Sequence, residues 1–143
     1  MSPRCGNEPH PGGHLSLFGA PARPSRGQAV IQQASAIGLS VVSIGELRAG
    51  FLKGERTRRN EEFLRSFLAS PRARAIPVDE ETASRYAAIR DYLRQQGTPV
   101  PTNDVWIAAT AAQHGLRLLT LDSHFLHIPQ VIVDFFEPAR PER

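Results

Sequence analysis

Three acidic residues stand at predicted junctions between strands and helices, where several carboxylates could bind one cation. Glu46 lies shortly after one apolar run, Asp104 begins a predicted helix, and Asp122 directly follows a second apolar run. Because the carboxyl ends of parallel strands meet at one edge of a sheet, we expect these carboxylates to lie close together. Mg²⁺ and Mn²⁺ prefer oxygen ligands of this kind. The sequence therefore predicts a divalent-metal site able to polarise a phosphodiester and activate water.

Each acid also has a structural explanation that spacing alone leaves open. Glu46 is in register to complete a capping box with Ser43 at the start of a helix. Asp104 is an acid in a first helical turn, where the helix dipole favours negative charge. Asp122 could be a turn former leading into Ser123. The three placements together favour the metal site, although spacing does not prove that the acids converge.

Two histidines, His124 and His127, form a weaker candidate site, for zinc. Zinc sites in proteins use three or four protein ligands, mostly nitrogen and sulfur atoms. No third nitrogen or sulfur ligand lies near these histidines at a recognised spacing, and Cys5 is the only cysteine of the chain. The sequence therefore argues against a zinc site here.

Alternating strands and helices must position the acids. The apolar runs predict strands at 39–42, 75–78, 118–121 and 131–133. Helical periodicity predicts helices at 28–37, 43–52, 60–69 and 103–114, and a long helix between Asp79 as N-cap and Gly97. This order indicates an α/β fold with a central, largely parallel sheet.

The composition indicates a single globular domain. The chain has 143 residues, of which 41% are hydrophobic and 22% charged, as in ordinary globular domains. No apolar run approaches the roughly 20 residues that a membrane-spanning helix needs, and the first residues lack the apolar centre of a secretory signal. A single cysteine excludes an internal disulfide framework. We therefore expect a cytoplasmic protein that does not associate with a membrane.

Positive charge is concentrated in one part of the chain. The net charge is only +3, yet residues 48–74 contain eight basic side chains and three acidic ones. Four of the basic residues are Arg48, Lys53, Arg56 and Arg58. A basic surface suits a polyanion such as nucleic acid, because binding releases counterions. The alternative is a solvated helical face, the usual explanation of an isolated charge run.

Three motifs taken together resemble the PIN-domain toxins of the VapC family. They are residues 43–50 (SIGELRAG), residues 101–109 (PTNDVWIAA), and residues 114–129, which include TLDSHF. The resemblance extends over residues 28–135. It implies an α/β PIN fold with helices flanking the sheet and an endoribonuclease that depends on magnesium or manganese. It also implies a VapB-type antitoxin as partner, and a homodimer.

Individual residues can be assigned by their positions in these motifs. By resemblance, Glu46, Asp104 and Asp122 match three of the four acidic positions that bind metal and catalyse in the family. Thr120 matches the hydroxyl residue beside the last acid, and Asn103 is expected to orient the carboxylate of Asp104. The basic residues Arg48, Lys53, Arg56 and Arg58 are expected to guide the RNA backbone.

The beginning of the chain departs from the family pattern. The family opens with an apolar strand that ends in Asp, and by register this acid falls near position 11, which is Pro11. The only acid before Glu46 is Glu8, set among prolines that a central strand does not accept. We therefore expect a metal site with one ligand fewer and a sheet without one central strand. Residues 1–13 fit the hypothesis of an altered reading frame or mis-set start, which translation of the upstream DNA tests.

The expected organisation is an atypical, poorly ordered N-terminal segment at 1–27, a PIN-like domain at 28–135 and a tail at 136–143. Two functions remain open. The first is a metal-dependent endoribonuclease toxin of a type II toxin–antitoxin pair. The alternative is a catalytically impaired or decayed PIN-like module that binds antitoxin or RNA without cleavage. A DNA nuclease of similar chemistry would differ from the first in its substrate alone.

Overall fold

In the part of the chain that the structure describes, five parallel strands form one sheet with helices on both faces. The computed structural model describes residues 13–15 and 26–137. The strands are β1 (Gly13–Leu15), β2 (Ile37–Ser40), β3 (Ala73–Ile76), β4 (Arg117–Thr120) and β5 (Val133–Phe135). Their order across the sheet is β3-β2-β1-β4-β5, and every neighbouring pair is parallel. The predicted α/β architecture with a parallel sheet is confirmed.

Within residues 26–137, five α-helices and one short 3-10 helix connect the strands. The helices are α1 (Arg26–Gln33), α2 (Val41–Lys53), α3 (Thr57–Leu68), α4 (Glu80–Gln96), α5 (Thr102–Gln113) and the 3-10 helix Ser123–His127. The sequence did not predict the 3-10 helix, because five residues are too few to show a period. In the described part of the chain, no helix is both long and apolar enough to cross a membrane.

Strand β1 lies at the centre of the sheet, so the expectation that a central strand would be missing is wrong. Gly13 is paired with Ile37 of β2 on one side and with Arg117 of β4 on the other. Three residues within a stretch rich in Gly and Pro carry no strand signal of their own. The sheet thus takes one strand from the segment that was expected to be poorly ordered. The division into 1–27, 28–135 and 136–143 otherwise stays a prediction.

Helix α2 begins earlier than predicted. Ser40 is its N-cap, and the Ser40 hydroxyl accepts a hydrogen bond from the backbone N–H of Ser43 at 3.0 Å. The predicted N-cap at Ser43 is therefore wrong, and so is the capping box that would have used Glu46. Strand β2 ends at Ser40 for the same reason, rather than at Val42. Consequently the Glu46 carboxylate takes no part in capping its own helix.

Helix α4 has both of its predicted ends. Asp79 and Thr82 exchange the reciprocal hydrogen bonds of a capping box, and Gly97 ends the helix with a φ of +66°. A left-handed backbone of this kind favours glycine, because a Cβ would be strained there. Both signals are local in sequence, and this explains why both helix ends were predictable.

The core fills both sides of the sheet. Leu118 packs with Ile89 of α4 and Val105 of α5 on one face, whereas Leu119 packs with Ile37 on the other. Successive residues of a strand point to opposite faces, so β4 is buried on both, as its continuous apolar run predicted. Asp122 directly follows this strand, and Asp104 lies in α5, whose Val105 packs in the same core cluster as Leu118, so the core fixes the backbone of both acids.

Candidate metal centre

Asp104 and Asp122 converge beyond the carboxyl end of β4. Asp104 lies in the first turn of α5, and Asp122 follows β4 directly. With His124 they offer ligand atoms that all lie within 4.8 Å of one another. This is the one group of three or more potential metal ligands among residues 13–15 and 26–137. Two of the three predicted acids therefore meet as the sequence pattern required.

Asp104 is the buried member of the group, with 8% of its side chain exposed. Burial raises the pKa of Asp104, and the charges of Asp122 and Glu46 raise it further. The hydrogen bond from His124 and its charge act in the opposite direction. A carboxylate held among other carboxylates in a site of low dielectric favours a nearby cation, because the cation offsets both burial and repulsion.

Glu46 lies at the rim of this group rather than within it. Its charge acts on Asp104, but its carboxylate is not among the atoms that lie within 4.8 Å of one another. Oε1 of Glu46 accepts a hydrogen bond from the side-chain amide of Asn103. Asn103 was predicted to orient Asp104, and in the structure its amide contacts Glu46 instead. The physical reason is that successive helical residues point in different directions.

Thr120 and Asp122 hold the turn that leaves β4. The buried Thr120 hydroxyl accepts a hydrogen bond from the backbone N–H of Asp122 at 2.9 Å. Asp122 in turn accepts one from the backbone N–H of His124 through Oδ1, also at 2.9 Å, and so caps the 3-10 helix. The alternative reading of Asp122 as a turn former is therefore correct as well. The same carboxylate caps the turn and faces Asp104.

His124 belongs to the group, although the sequence suggested it only as a zinc ligand and argued against that role. Its Nδ1 lies 2.9 Å from Oδ1 of Asp122 and 3.3 Å from Oδ2 of Asp104. His127, the other histidine of the zinc hypothesis, is exposed and is not part of the group. The available signal was the spacing of two residues between Asp122 and His124, because a tight turn after a strand can return both side chains to the same site.

The comparison with known proteins decides the family. Residues 17–131 match the PIN domain family. The chain belongs to the PIN domain family. It is homologous to the ribonuclease VapC4 of Mycobacterium tuberculosis, with 36% identity over 67% of this chain and 74% of that protein. It is also homologous to the toxin FitB of Neisseria gonorrhoeae, with 32% identity over 76% of this chain and 84% of that protein.

The fold agrees with that assignment. A DNA-bound VapBC structure from Salmonella typhimurium superimposes with a TM-score of 0.67 and 27% identity, over 76% of this chain and 81% of that one. The PIN-like fold expected from the motifs is therefore confirmed. Pro11, the position where the first acid of the family would fall, lies outside the described residues, as does Glu8.

The donor atoms of this PIN domain fit a small divalent cation. Two carboxylates and one imidazole nitrogen are close enough to share an ion, and the raised pKa of the buried Asp104 marks a position where positive charge is favourable. Glu46 supplies a third carboxylate at the rim. Oxygen and nitrogen ligands of these types bind magnesium, manganese and related metals.

The four basic residues predicted to bind RNA differ in their surroundings. Arg48 donates to Oε1 of Glu61 from Nε at 3.0 Å and from Nη2 at 2.8 Å. Arg58 pairs with Glu62 at 3.3 Å. Among the described residues, no carboxylate forms an ion pair with Lys53 or Arg56. The two helices α2 and α3 thus use part of the predicted basic surface to bind each other.

Proposed function

We propose that this PIN-domain protein is a metal-dependent endoribonuclease, the toxin of a type II toxin–antitoxin pair. The observation that carries the proposal is the convergence of the buried Asp104 with Asp122 at the carboxyl end of a central parallel strand. The names of its relatives, a ribonuclease and a toxin, support the same reaction class.

Asp104 and Asp122 are proposed to hold a Mg²⁺ or Mn²⁺ ion, with Glu46 as a third acid. Such an ion supplies Lewis acidity toward a phosphoryl oxygen and lowers the pKa of a bound water. The chain contributes fixed geometry, since Thr120 locks the turn that carries Asp122. Asn103 holds the Glu46 carboxylate toward the site.

Arg48, Lys53, Arg56 and Arg58 are proposed to contact the RNA backbone, with Lys53 as the principal residue. Lys53 follows Glu46 by seven positions, which places both on the same side of α2, about 10 Å apart along its axis. Arg48, two positions after Glu46, points toward α3 and binds Glu61. An RNA strand that reaches the acids along α2 would therefore pass Lys53 first.

A VapB-type antitoxin is proposed as the partner of this chain, and a homodimer as its assembly. Several similar structures are complexes of VapB with VapC or of FitA with FitB. A segment that enters the acidic site with a positive side chain would compete with the metal and with RNA. The cytoplasmic location stays a prediction from the composition.

A second function is favoured by one sequence feature. The sequence motifs lead us to expect Pro11 in the place of the family's first acid, which would leave the site with one carboxylate fewer. The alternative is therefore an impaired or decayed module that binds antitoxin or RNA without cutting. Cleavage of structured RNA by the purified chain, with and without EDTA, separates the two. If the chain binds RNA but cleaves it in neither Mg²⁺ nor Mn²⁺, the alternative is favoured.

A further inference from the structure

His124 places an imidazole nitrogen where the site would otherwise contain carboxylate oxygens alone. Nδ1 lies 2.9 Å from Oδ1 of Asp122 and 3.3 Å from Oδ2 of Asp104. Ligands bound to one ion at right angles, each about 2.1 Å from it, are about 3 Å apart. The nitrogen therefore lies at about the spacing of a neighbouring ligand from each carboxylate oxygen, and all three ligand atoms lie within 4.8 Å of one another.

The backbone on both sides of His124 is fixed. Asp122 accepts the N–H of His124 at 2.9 Å, and the next residue, Phe125, is fully buried in the main core cluster. These two anchors hold the imidazole beside the acids, although 47% of the His124 side chain is exposed. The ring is therefore held beside the acids without being sealed from solvent.

We propose that His124 binds the metal through Nδ1, together with Asp104 and Asp122, and that the site consequently takes Mn²⁺ in preference to Mg²⁺. This rests on the proposed function only in that both need a metal at these acids. Imidazole nitrogen is a softer donor than carboxylate oxygen and favours transition metals, whereas Mg²⁺ selects oxygen and water. The nitrogen would also supply a further ligand if, as the sequence motifs lead us to expect, Pro11 takes the place of the family's first acid.

A competing explanation is that a protonated His124 replaces the cation by pairing with both carboxylates. The two explanations predict opposite effects of removing the ring. If His124 is a ligand, its loss weakens metal binding. If it occupies the metal position as a cation, its loss frees the acids and strengthens metal binding.

The test uses the full, tag-free chain, stripped of metal, and Mn²⁺ as the probe. Electron paramagnetic resonance follows the free Mn²⁺ signal and yields the Kd, and Mg²⁺ is then added as a competitor. Pulsed measurements on the bound ion detect coupling to a directly bonded nitrogen. The variants are His124→Ala and His124→Asp, and His127→Ala is the matched control from the same 3-10 helix.

We expect nitrogen coupling in the wild type and in His127→Ala, and its loss in His124→Ala with Mn²⁺ affinity about tenfold to a hundredfold lower. His124→Asp should bind Mn²⁺ without nitrogen coupling and should lose most of the preference over Mg²⁺. Circular dichroism verifies that each variant is folded. Bound Mn²⁺ without nitrogen coupling in the wild type would overturn the proposal, as would equal or tighter binding by His124→Ala.

RNA cleavage is measured separately on the same samples. If the bound Mn²⁺ shows nitrogen coupling but the RNA is not cleaved, His124 is a metal ligand and the proposed ribonuclease function is wrong. Cleavage by a wild type whose bound Mn²⁺ shows no nitrogen coupling would support the proposed ribonuclease and overturn the assignment of His124 as a ligand. A wild type that binds no Mn²⁺ would overturn the ligand assignment, and cleavage in Mg²⁺ would still decide the function.

Discussion

The side-chain amide of Asn103 donates a hydrogen bond to Oε1 of Glu46, and so ties the helix that carries Asp104 to the helix that follows β2. The two residues are 57 positions apart in sequence. Glu46 is only half-buried, so this hydrogen bond restricts the orientation of its carboxylate. We therefore propose that Asn103 is a positioning residue, which acts on the proposed metal site through Glu46.

Replacing Asn103 with Ala should lower kcat/KM for RNA about tenfold or more and weaken Mn²⁺ binding, because Glu46 loses its fixed orientation. The melting temperature should change little, since Asn103 is exposed. Gln95→Ala is the matched control, because the Gln95 amide donates to Asp91 at 2.8 Å on the surface of α4. Equal activity in the two variants would show that Asn103 has no role in the site.

The free energy of unfolding of the metal-free protein should fall as pH rises through the pKa of Asp104. Burial and the charge of Asp122 raise that pKa above its value in the unfolded chain, so the folded state holds the proton more tightly. Stability from this group is complete below the unfolded pKa and is lost as the group ionises in the folded state. Asp104→Asn removes this loss and should be more stable than the wild type near pH 7.

Urea denaturation between pH 4 and pH 8, with and without Mn²⁺, measures this difference. Added Mn²⁺ should stabilise the wild type and have a much smaller effect on Asp104→Asn, because binding to the folded state adds to its stability. If, without metal, the free energy of unfolding of the wild type and of Asp104→Asn changes with pH in the same way, the electrostatic description of the site is wrong.

Lys53→Ala should weaken RNA binding and reduce the dependence of log Kd on log salt concentration by about 0.7, the value of one phosphate contact on a single strand. The Asp104→Asn background allows binding to be measured without cleavage. Arg90→Ala is the control, since Arg90 is exposed on α4, away from the segment 48–74. If both substitutions alter the salt dependence equally, RNA does not follow α2.

Gly38→Ala should destabilise the fold by roughly 1–3 kcal/mol, the usual cost of overpacking. A Cβ at this position of β2 would collide with Cδ1 of Ile76 and would lie 3.2 Å from Cδ1 of Leu116. Ile76 is buried and has little room to move. Ile76→Val removes the colliding atom, so the double variant should lose less stability than the sum of the two single variants. Additive losses in urea denaturation would contradict this packing.

The elements with local signals were the predictable ones. Asp79 and Gly97 bound α4 through contacts within a few residues, and the sequence gives both. Helix α2 was misplaced because Ser40 and Ser43 are both acceptable caps, and only the pairing of β2 with its neighbours decides between them. Strand β1 is held in the sheet by its pairing with β2 and β4. A segment of three residues carries no pattern from which this pairing could be predicted.

In the site too, residues with local sequence signals were predictable and those placed by long-range packing were not. Asp104 and Asp122 lie in sequence motifs that identify them as candidate metal ligands. The position of the His124 side chain depends instead on how the turn after β4 packs against the start of α5. The ion pair of Arg48 with Glu61 likewise depends on the packing of α2 against α3. Such long-range contacts leave no periodic trace in the sequence.

The most direct test of the proposed function is cleavage of an end-labelled, structured RNA by the purified chain in Mn²⁺ and in Mg²⁺, beside Asp104→Asn. We expect metal-dependent cleavage that EDTA abolishes and that falls by about a hundredfold or more in the variant. A folded wild type that binds Mn²⁺ yet cleaves RNA no faster than Asp104→Asn would contradict the proposed ribonuclease.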